Sequence, residues 1–257
     1  MTERSASPIS GESCVVLVTG AAGAIGTATV LAFLAGGYRV VGLDREASVE
    51  ASHGELYRGY RADLHDEEAV VEALESAATF GPLGHVVGVA GGALPVEPAT
   101  QHDPALLSTS DFRASLDANL TTQYVMLHAA LPWLRASTGD RSVTFTSSFN
   151  ALGGWGMPAY SAAKAGLIGL MHALTPVLGA EGIRVNVIAP GTIRTPRTEA
   201  IWQHDRDHFP DLERTTALGR LGAPEDVARS FVALATQLTH VTGQVLVVDG
   251  GQLVKRS

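Results

Sequence analysis

A tyrosine and a lysine lie four residues apart, at Tyr160 and Lys164, near the start of an apolar run that continues to Leu178. Residues at this spacing lie one above the other on one face of a helix. A nearby ammonium group favours the charged form of a phenol, so we expect Lys164 to lower the pKa of Tyr160. A phenol tuned in this way accepts and donates protons near neutral pH. The pair therefore predicts acid–base chemistry, although an ordinary surface helix would show the same spacing.

The elements that must position this pair alternate along the chain. Short apolar, β-branched runs predict seven strands, at residues 15–18, 39–43, 56–61, 85–89, 143–146, 183–188 and 245–248. Longer alanine-rich runs predict helices at residues 25–35, 66–78, 111–135, 159–178 and 224–235. This alternation predicts an α/β fold of the Rossmann type: a doubly wound, mainly parallel seven-stranded sheet with helices on both faces.

The composition narrows the class of protein. A chain of 257 residues, 46% of them hydrophobic, is long enough to bury one large core. The formal net charge of −8 disfavours nucleic acid and anionic membrane surfaces as partners. A single cysteine, Cys14, excludes an internal disulfide and favours a cytoplasmic location. We expect residues 1–12 to form a flexible tail, residues 13–257 to form a single domain, and no segment to cross a membrane.

A stretch rich in glycine and alanine follows the first predicted strand and opens the first helix. Small residues at such a turn let the main chain approach a phosphate group, which the N-terminus of the helix then stabilises. The candidate cofactor-binding residues in this turn are Gly20, Ala22, Gly23, Ala24, Ile25 and Gly26.

Asp44 ends the second predicted strand, 18 residues after Gly26. A carboxylate at this position can accept both hydroxyls of an adenosine ribose, and it would repel a 2′-phosphate. NAD is therefore favoured over NADP, although an arginine such as the adjacent Arg45 is able to hold a 2′-phosphate.

Further motifs follow the glycine turn. They are Asp63-Leu64, Ala90-Gly91, Asn119, Ser147-Ser148, Tyr160 with Lys164, and the segments 186–195, 219–228 and 242–251. In these motifs and in their order, the sequence resembles the short-chain dehydrogenase/reductase family from residue 15 to about residue 251. The resemblance implies reversible hydride transfer between a nicotinamide cofactor and a secondary alcohol or ketone.

The resemblance also assigns roles to residues. It implies a catalytic set of Asn119, Ser148, Tyr160 and Lys164. Tyr160 would carry the proton, Ser148 would donate a hydrogen bond to the substrate oxygen, and Lys164 would bind the nicotinamide ribose. Asn119 would help to hold a water molecule that links Lys164 to solvent. The remaining cofactor-binding residues that it implies are Asp63, Leu64, Ala90, Gly91, Pro190, Gly191, Ile193 and Thr195, together with Tyr160 and Lys164.

Two details depart from the family pattern. Gly88 and Val89 stand where the family usually has two asparagines, so amides that brace the neighbouring main chain are missing. The usual spacing of 13 residues before the tyrosine selects Ser147, whereas the usual choice of the second serine after the strand selects Ser148. We expect Ser148 to be the catalytic serine and Ser147 to support the loop.

We expect the substrate pocket to lie between residues 149–158, residues 93–110 and an insertion at residues 192–215. The insertion shows few secondary-structure patterns, which suits a lid. Candidate apolar lining residues are Trp155, Met157, Ile193, Trp202 and Phe209. Arg194 and Arg197 leave a carboxylate or phosphate on the substrate open. We expect no metal site, and solvated loop positions for His102, His204, Asp205, Asp207 and His208.

The helix predicted at residues 159–178 is apolar nearly all round, which exceeds the need of a one-sided surface helix. A second subunit is one way to cover it, and the resemblance implies a homo-oligomer, a dimer or a tetramer. Two other functions stay open at this point. One is a non-catalytic regulator that binds NAD, and the other is epimerisation or dehydration of a nucleotide sugar, whose enzymes usually carry a longer substrate domain.

Overall fold

The computed structural model describes residues 14–153, 156–202 and 208–254. Seven strands form one sheet in the order β3-β2-β1-β4-β5-β6-β7. They are β1 (Val15–Thr19), β2 (Arg39–Asp44), β3 (Tyr57–Arg61), β4 (Leu83–Gly88), β5 (Arg141–Thr146), β6 (Ile183–Pro190) and β7 (Val245–Val248). Every pairing between neighbouring strands is parallel, so the predicted Rossmann-type sheet is confirmed and is parallel throughout. The predicted tail, residues 1–12, lies outside the described residues.

Eight α-helices connect and cover the strands in the described part of the chain. They are α1 (Ala24–Ala35), α2 (Glu67–Ala78), α3 (Thr109–Leu116), α4 (Thr122–Ala136), α5 (Pro158–Ala180), α6 (Pro196–Ile201), α7 (His208–Thr215) and α8 (Pro224–Val232). The single helix predicted at residues 111–135 is divided by a π-helical turn, Asp117–Thr121, between α3 and α4. The insertion at residues 192–215 contains the short helices α6 and α7, which the sequence analysis did not predict.

Strand β1 explains why helices cover both faces of the sheet. Side chains alternate between the two faces of a strand. Val15 and Leu17 belong to a core that includes residues of α2, α4 and α5, whereas Val16 and Val18 belong to a second core with residues of α1 and α8. All four side chains are buried, which is why the strand reads as a continuous apolar run.

Helix α5 carries the tyrosine–lysine pair and packs on the sheet. By length and composition alone it is apolar enough to cross a membrane. Its residues Leu167, Met171 and Leu178 are buried in the core that includes β5 and β6. Packing against the sheet therefore accounts for one apolar face of this helix, and small residues such as Ala165 and Gly169 are exposed on another.

Candidate active site

A cleft of about 720 Å³ opens beside the carboxyl ends of β1, β2 and β4. Ligands of open α/β sheets bind at this edge, where the strand order reverses. The cleft is lined by most of the predicted cofactor-binding residues: Gly20, Ala22, Gly23, Ala24, Ile25, Gly26, Asp44, Arg45, Asp63, Leu64, Ala90, Gly91 and Thr195.

The glycine turn brings the main chain close to the start of α1. Gly20 has a φ of 65°, and a Cβ on Gly26 would collide with the carbonyl of Gly20. No side chain of the described residues caps the N-terminus of α1, and the first turn of α1 contains no acidic residue. Free main-chain donors at a helix N-terminus favour an anion. The turn therefore fits the pyrophosphate of a dinucleotide.

Asp44 lies at the end of β2 and holds the main chain around it. Its Oδ2 accepts a hydrogen bond from the main-chain N of Ala22 at 3.0 Å, and its Oδ1 accepts one from Glu46 N at 3.0 Å. A carboxylate has about four acceptor positions, so both oxygens keep capacity for ribose hydroxyls. The Arg45 side chain is exposed and pairs with Glu46 at 3.6 Å.

Asp63 lines the same part of the cleft after β3. Its Oδ1 accepts hydrogen bonds from the main-chain N of His65 at 3.0 Å and from His65 Nδ1 at 2.8 Å. These hydrogen bonds to His65 lower the pKa of Asp63 below its ordinary value. The carboxylate is therefore ionised near neutral pH.

The loop after β4 is braced by a residue that the sequence analysis did not single out. Gln123 of α4 donates from Nε2 to the Ala90 carbonyl at 2.6 Å, and its side chain fills the space where Gly88 has no Cβ. Gln123 lies four residues after Asn119, and that spacing on one helix face was the available signal. An amide from α4 thus braces the loop from which the family's asparagines are missing.

Asn119 is fully buried in the π-helical turn before α4. Its Oδ1 accepts from Gly92 N at 2.7 Å, and its Nδ2 donates to the carbonyls of Gly92 and Ser115, each at 3.1 Å. The amide therefore fixes the main chain of the loop after β4. Single π-helical turns occur often at functional sites, and this one divides the helix that the sequence predicted to be continuous.

Tyr160 and Lys164 lie together in the first turns of α5, as the spacing predicts. Lys164 Nζ is 5.6 Å from the centre of the Tyr160 ring and donates to the Thr146 carbonyl at 2.9 Å. Only 2% of Lys164 is exposed, and burial, assisted by the positive charge of Arg197, lowers its pKa to about 7.

The pKa of Tyr160 differs from the sequence-based expectation. Burial raises it above its ordinary value and outweighs the hydrogen bond with Ser148 and the charge of Arg197, which both lower it. The prediction that Lys164 lowers the pKa of Tyr160 is therefore wrong for this structure. The reason is physical: the desolvation that raises the pKa of the phenol also reduces the charge on the amine that was expected to oppose it.

The two adjacent serines have different partners. Ser147 Oγ donates to the main-chain carbonyl of Lys164 at 2.7 Å, so it supports the packing of α5. Ser148 Oγ donates to Asn150 Oδ1 and accepts from Asn150 N, each at 3.2 Å, and it lies near enough to Tyr160 to lower the pKa of the phenol. Of the two hydroxyls, that of Ser148 adjoins the phenol.

Arg197 on α6 reaches across the cleft. Its side chain is exposed, and it donates to the carbonyls of Gly91 at 3.2 Å and Ala93 at 2.7 Å. A Cβ on Gly92 would collide with this guanidinium group, so the glycine makes room for it. Among the described residues Arg197 forms no ion pair, and its charge acts on both Tyr160 and Lys164.

Other predicted residues lie outside the cleft or outside the described residues. Pro190 and Gly191 follow one another at the end of β6, where Gly191 N donates to the Val248 carbonyl at 2.9 Å. Ile193 is buried in the core shared with α8. Met157 and Trp202 are partly exposed, and Arg194 lies over the ring of Phe209 at 5.1 Å.

Trp155, His204, Asp205 and Asp207 fall outside the described residues, as does the side chain of His208. In the described part of the chain, no cluster of three or more histidine, cysteine or acidic residues could hold a metal ion.

Comparison with known proteins agrees with this geometry. A family described as enoyl-(acyl carrier protein) reductase matches residues 20–252. An oxidoreductase from Schizosaccharomyces pombe is 37% identical over 250 residues, which cover 94% of this chain and 92% of that protein. L-fucose dehydrogenase from Mus musculus is 36% identical over 250 residues, with 92% of this chain and 87% of that protein covered.

A solved structure extends the likeness to three dimensions. The structure of an oxidoreductase of the short chain dehydrogenase/reductase family from Burkholderia thailandensis has a TM-score of 0.85 and 36% identity. The match covers 95% of this chain and 94% of that chain. The family match and these relatives extend over nearly the whole sequence, including the glycine turn and the helix of Tyr160 and Lys164. The chain belongs to the short-chain dehydrogenase/reductase family.

Proposed function

We propose that this oxidoreductase interconverts a secondary alcohol and a ketone with a nicotinamide cofactor, and that it favours NAD. The observation that carries this proposal is the grouping of Ser148, Tyr160 and Lys164 beside a cleft that fits a dinucleotide. The nicotinamide ring, when bound, supplies the acceptor or donor of hydride. An NAD-binding regulator would need no such set of hydroxyl and amine groups.

The residues of the chain would handle the proton and the substrate oxygen. Tyr160 gives its hydroxyl proton to the carbonyl oxygen during reduction and removes the proton of the alcohol during oxidation. Ser148 donates a hydrogen bond to the same oxygen and stabilises the charge that develops on it. Because burial raises the pKa of Tyr160, the phenol keeps its proton at neutral pH and is ready to donate it.

Lys164 and Asn119 would act around this centre. Lys164 binds the nicotinamide ribose, and a pKa of about 7 lets its amine gain or lose a proton near neutral pH. Asn119 fixes the loop after β4, which lines the cleft and would contact the bound cofactor. A water that links Lys164 to solvent is a further part of this proposal.

Asp44 supports the preference for NAD. Its carboxylate lines the cleft at the end of β2 and would repel a 2′-phosphate. Arg45, which is exposed and pairs with the neighbouring Glu46, is the residue that opposes this preference. L-fucose dehydrogenase is among the similar proteins, so aldoses are a suitable first class of substrate to test.

The decisive experiment is a spectrophotometric screen of aldoses, cyclic alcohols and their ketones with NAD and NADP in parallel. We expect reduction of NAD with at least one class of alcohol. Tyr160→Phe should lower kcat by about 10²- to 10⁴-fold, the contribution of a positioned acid or base, while NAD binding remains. Near-wild-type turnover by this variant would refute the mechanism, and NAD binding without turnover of any substrate would favour the regulator.

We further propose that residues 13–257 act as one domain with residues 192–215 as a lid over the cleft. The hydrogen bonds of Arg197 to the loop after β4 support a closing role for this segment.

We also propose that the protein forms a homo-oligomer, either a dimer or a tetramer. The exposed apolar face of α5, with Val177 58% exposed, and the half-buried strand β7 at the sheet edge support it. We place the enzyme in the cytoplasm because its single cysteine offers no internal disulfide.

A further inference from the structure

A buried carboxylate lies beneath the loop after β4. Glu97 has an exposed fraction of 0%, although glutamate is almost never fully buried without a partner. No lysine, arginine or histidine of the described residues forms an ion pair with it. Its partners are three hydrogen-bond donors: Leu94 N at 2.6 Å to Oε2, and Tyr160 N at 2.6 Å and Ser115 Oγ at 3.0 Å to Oε1. An ionised carboxylate, which only accepts, satisfies all three donors.

One of these donors belongs to the N-terminus of α5. The first main-chain N–H groups of a helix have no partner within the helix, and a side chain at the N-cap usually satisfies one of them. The N-cap of α5 is Met157, which has no oxygen in its side chain and adopts a left-handed conformation with φ 51°. Glu97, 63 residues earlier in the chain, accepts from Tyr160 N in its place. Its negative charge also suits the positive end of the helix dipole.

The other two donors tie this helix end to the wall of the cleft and to α3. Leu94 lines the cleft, and its main-chain N bonds the second oxygen of the same carboxylate. Ser115 lies on α3 and its carbonyl also accepts from Asn119. A single carboxylate therefore connects a cleft-lining loop, the helix before Asn119 and the residue that would carry the proton.

We propose that Glu97 is a positioning residue: it anchors the main chain of Tyr160 and places a negative charge near the Tyr160 phenol. The charge has a consequence for the proton. Tyr160 faces Glu97 from the loop after β4, Arg197 from α6, Ser148 after β5 and Lys164 on its own helix. Burial is the main cause that raises the pKa of Tyr160, and the charge of Glu97 raises it further, whereas Arg197 lowers it. Glu97 thus helps to keep the phenol protonated.

The role rests on the proposed function in one respect, since a kinetic test requires that Tyr160 carries the proton. The test compares Glu97→Gln, which removes the charge and keeps the shape, with Ser115→Ala, which removes one donor and keeps the charge. For each protein kcat is measured across pH, with KM for NAD and the thermal unfolding midpoint. The ionisation of Tyr160 is measured separately by ultraviolet absorbance, as the difference between each protein and its Tyr160→Phe counterpart.

For Glu97→Gln we expect kcat at neutral pH to fall by about 10- to 100-fold, because small misplacement of a reacting group is amplified in the rate. KM for NAD should stay close to the wild-type value. The midpoints of the kcat profile and of the tyrosine titration should both move to lower pH, since the phenolate forms more readily without the negative charge. Ser115→Ala should lose less activity and shift neither midpoint.

Wild-type kcat and titration in Glu97→Gln would overturn the proposal, and so would a loss of kcat without a shift of either midpoint, which packing alone would produce. If Glu97→Gln does not fold, Glu97→Asp carries the test. Its shorter side chain keeps the charge but cannot reach all three donors, so kcat should fall while the midpoints stay; unchanged kcat would count against the anchor. Because the titration needs no turnover, it tests the contact between Glu97 and Tyr160 even if no substrate is converted.

Discussion

Two segments flank Tyr160 and hold it in different ways. The loop after β4 reaches Tyr160 through Glu97, which is fully buried and bonds main-chain groups of its own loop and of α5. The segment after β6 reaches it through Arg197, which is exposed and bonds two carbonyl oxygens across the cleft. Glu97 is a negatively charged group in the interior, and Arg197 is a positively charged group that faces solvent.

The two contacts suit different tasks: that of Glu97 suits the positioning of Tyr160, and that of Arg197 suits closure over the cleft. A buried carboxylate with three donors cannot be released without leaving polar groups unpaired in the interior. An exposed guanidinium on two carbonyls exchanges those bonds for water at little cost. The loop after β4 is thus suited to fix the tyrosine, and the segment after β6 is suited to open and close over ligands. The charges of the two segments also oppose each other at Tyr160.

The largest expected effect is on stability, from Glu97→Ala. This change leaves Leu94 N, Tyr160 N and Ser115 Oγ without their common acceptor, so the free energy of unfolding should fall by about 3 kcal/mol. Urea denaturation of the variant and of the exposed control Glu199→Ala would measure it. Equal stability of the two variants would show that the buried hydrogen bonds of Glu97 do not fix the loop after β4.

The next effect concerns the pH dependence of stability through Lys164, on which the charge of Arg197 also acts. Its pKa is about 7 in the folded protein against an ordinary value of 10.5. Between these values the unfolded chain binds a proton that the folded chain does not, so stability should rise with pH from about 7 to about 10.5. The slope is up to about 1.4 kcal/mol per pH unit, and it vanishes for this group below the window.

Lys164→Met should remove this contribution, and denaturation of both proteins across the pH window would show it. If both proteins respond to pH alike, Lys164 is charged in the fold. The main cause of its lowered pKa is burial, so most of the slope should remain when Arg197 is replaced.

The smallest effect on stability is expected from Arg197→Leu, within about 0.5 kcal/mol, as for most exposed positions. Its effect on chemistry should nevertheless be visible. Loss of the positive charge raises the pKa of both Tyr160 and Lys164, so the midpoint of the kcat profile should move to higher pH, opposite to Glu97→Gln. A kcat profile with a matched Arg194→Leu control would check this. If the midpoint of the kcat profile moved to lower pH, or if Arg197→Leu lost as much stability as Glu97→Ala, the contrast between Arg197 and Glu97 would be wrong.

The five inner strands were predictable because each is a largely buried apolar run covered on both faces, so its hydrophobic pattern survives in the sequence alone. The edge strands β3 and β7 are only partly buried. Helix ends and interruptions were less predictable. The π-helical turn at Asp117–Thr121 has no marker such as glycine or proline. Two of the three hydrogen bonds of its Asn119 amide are to Gly92, far away in the chain. Helices α6 and α7 were overlooked because they are only six and eight residues long, too short for a helical pattern to repeat several times.

The site shows the same limit. Tyr160, Lys164 and Asp44 could be singled out from spacing and from their places after strands. Glu97 gives no local pattern, since its three partners come from its own loop, α3 and α5. Gln123 had a spacing of four from Asn119, but only the contact with Ala90 and the empty space at Gly88 give that spacing a meaning.

The sequence by itself determined the order of strands and helices, the phosphate-fitting turn and the presence of a phenol and an amine on one helix face. Those properties depend on side-chain type and on local periodicity, which the chain carries at every position. The tertiary structure decided how strongly the phenol and the amine are desolvated, which serine adjoins the phenol, and which charges face it. Desolvation and charge–charge interaction depend on distances between residues remote in sequence. For that reason Tyr160 could be identified from the sequence, whereas the direction of its pKa shift required the tertiary structure.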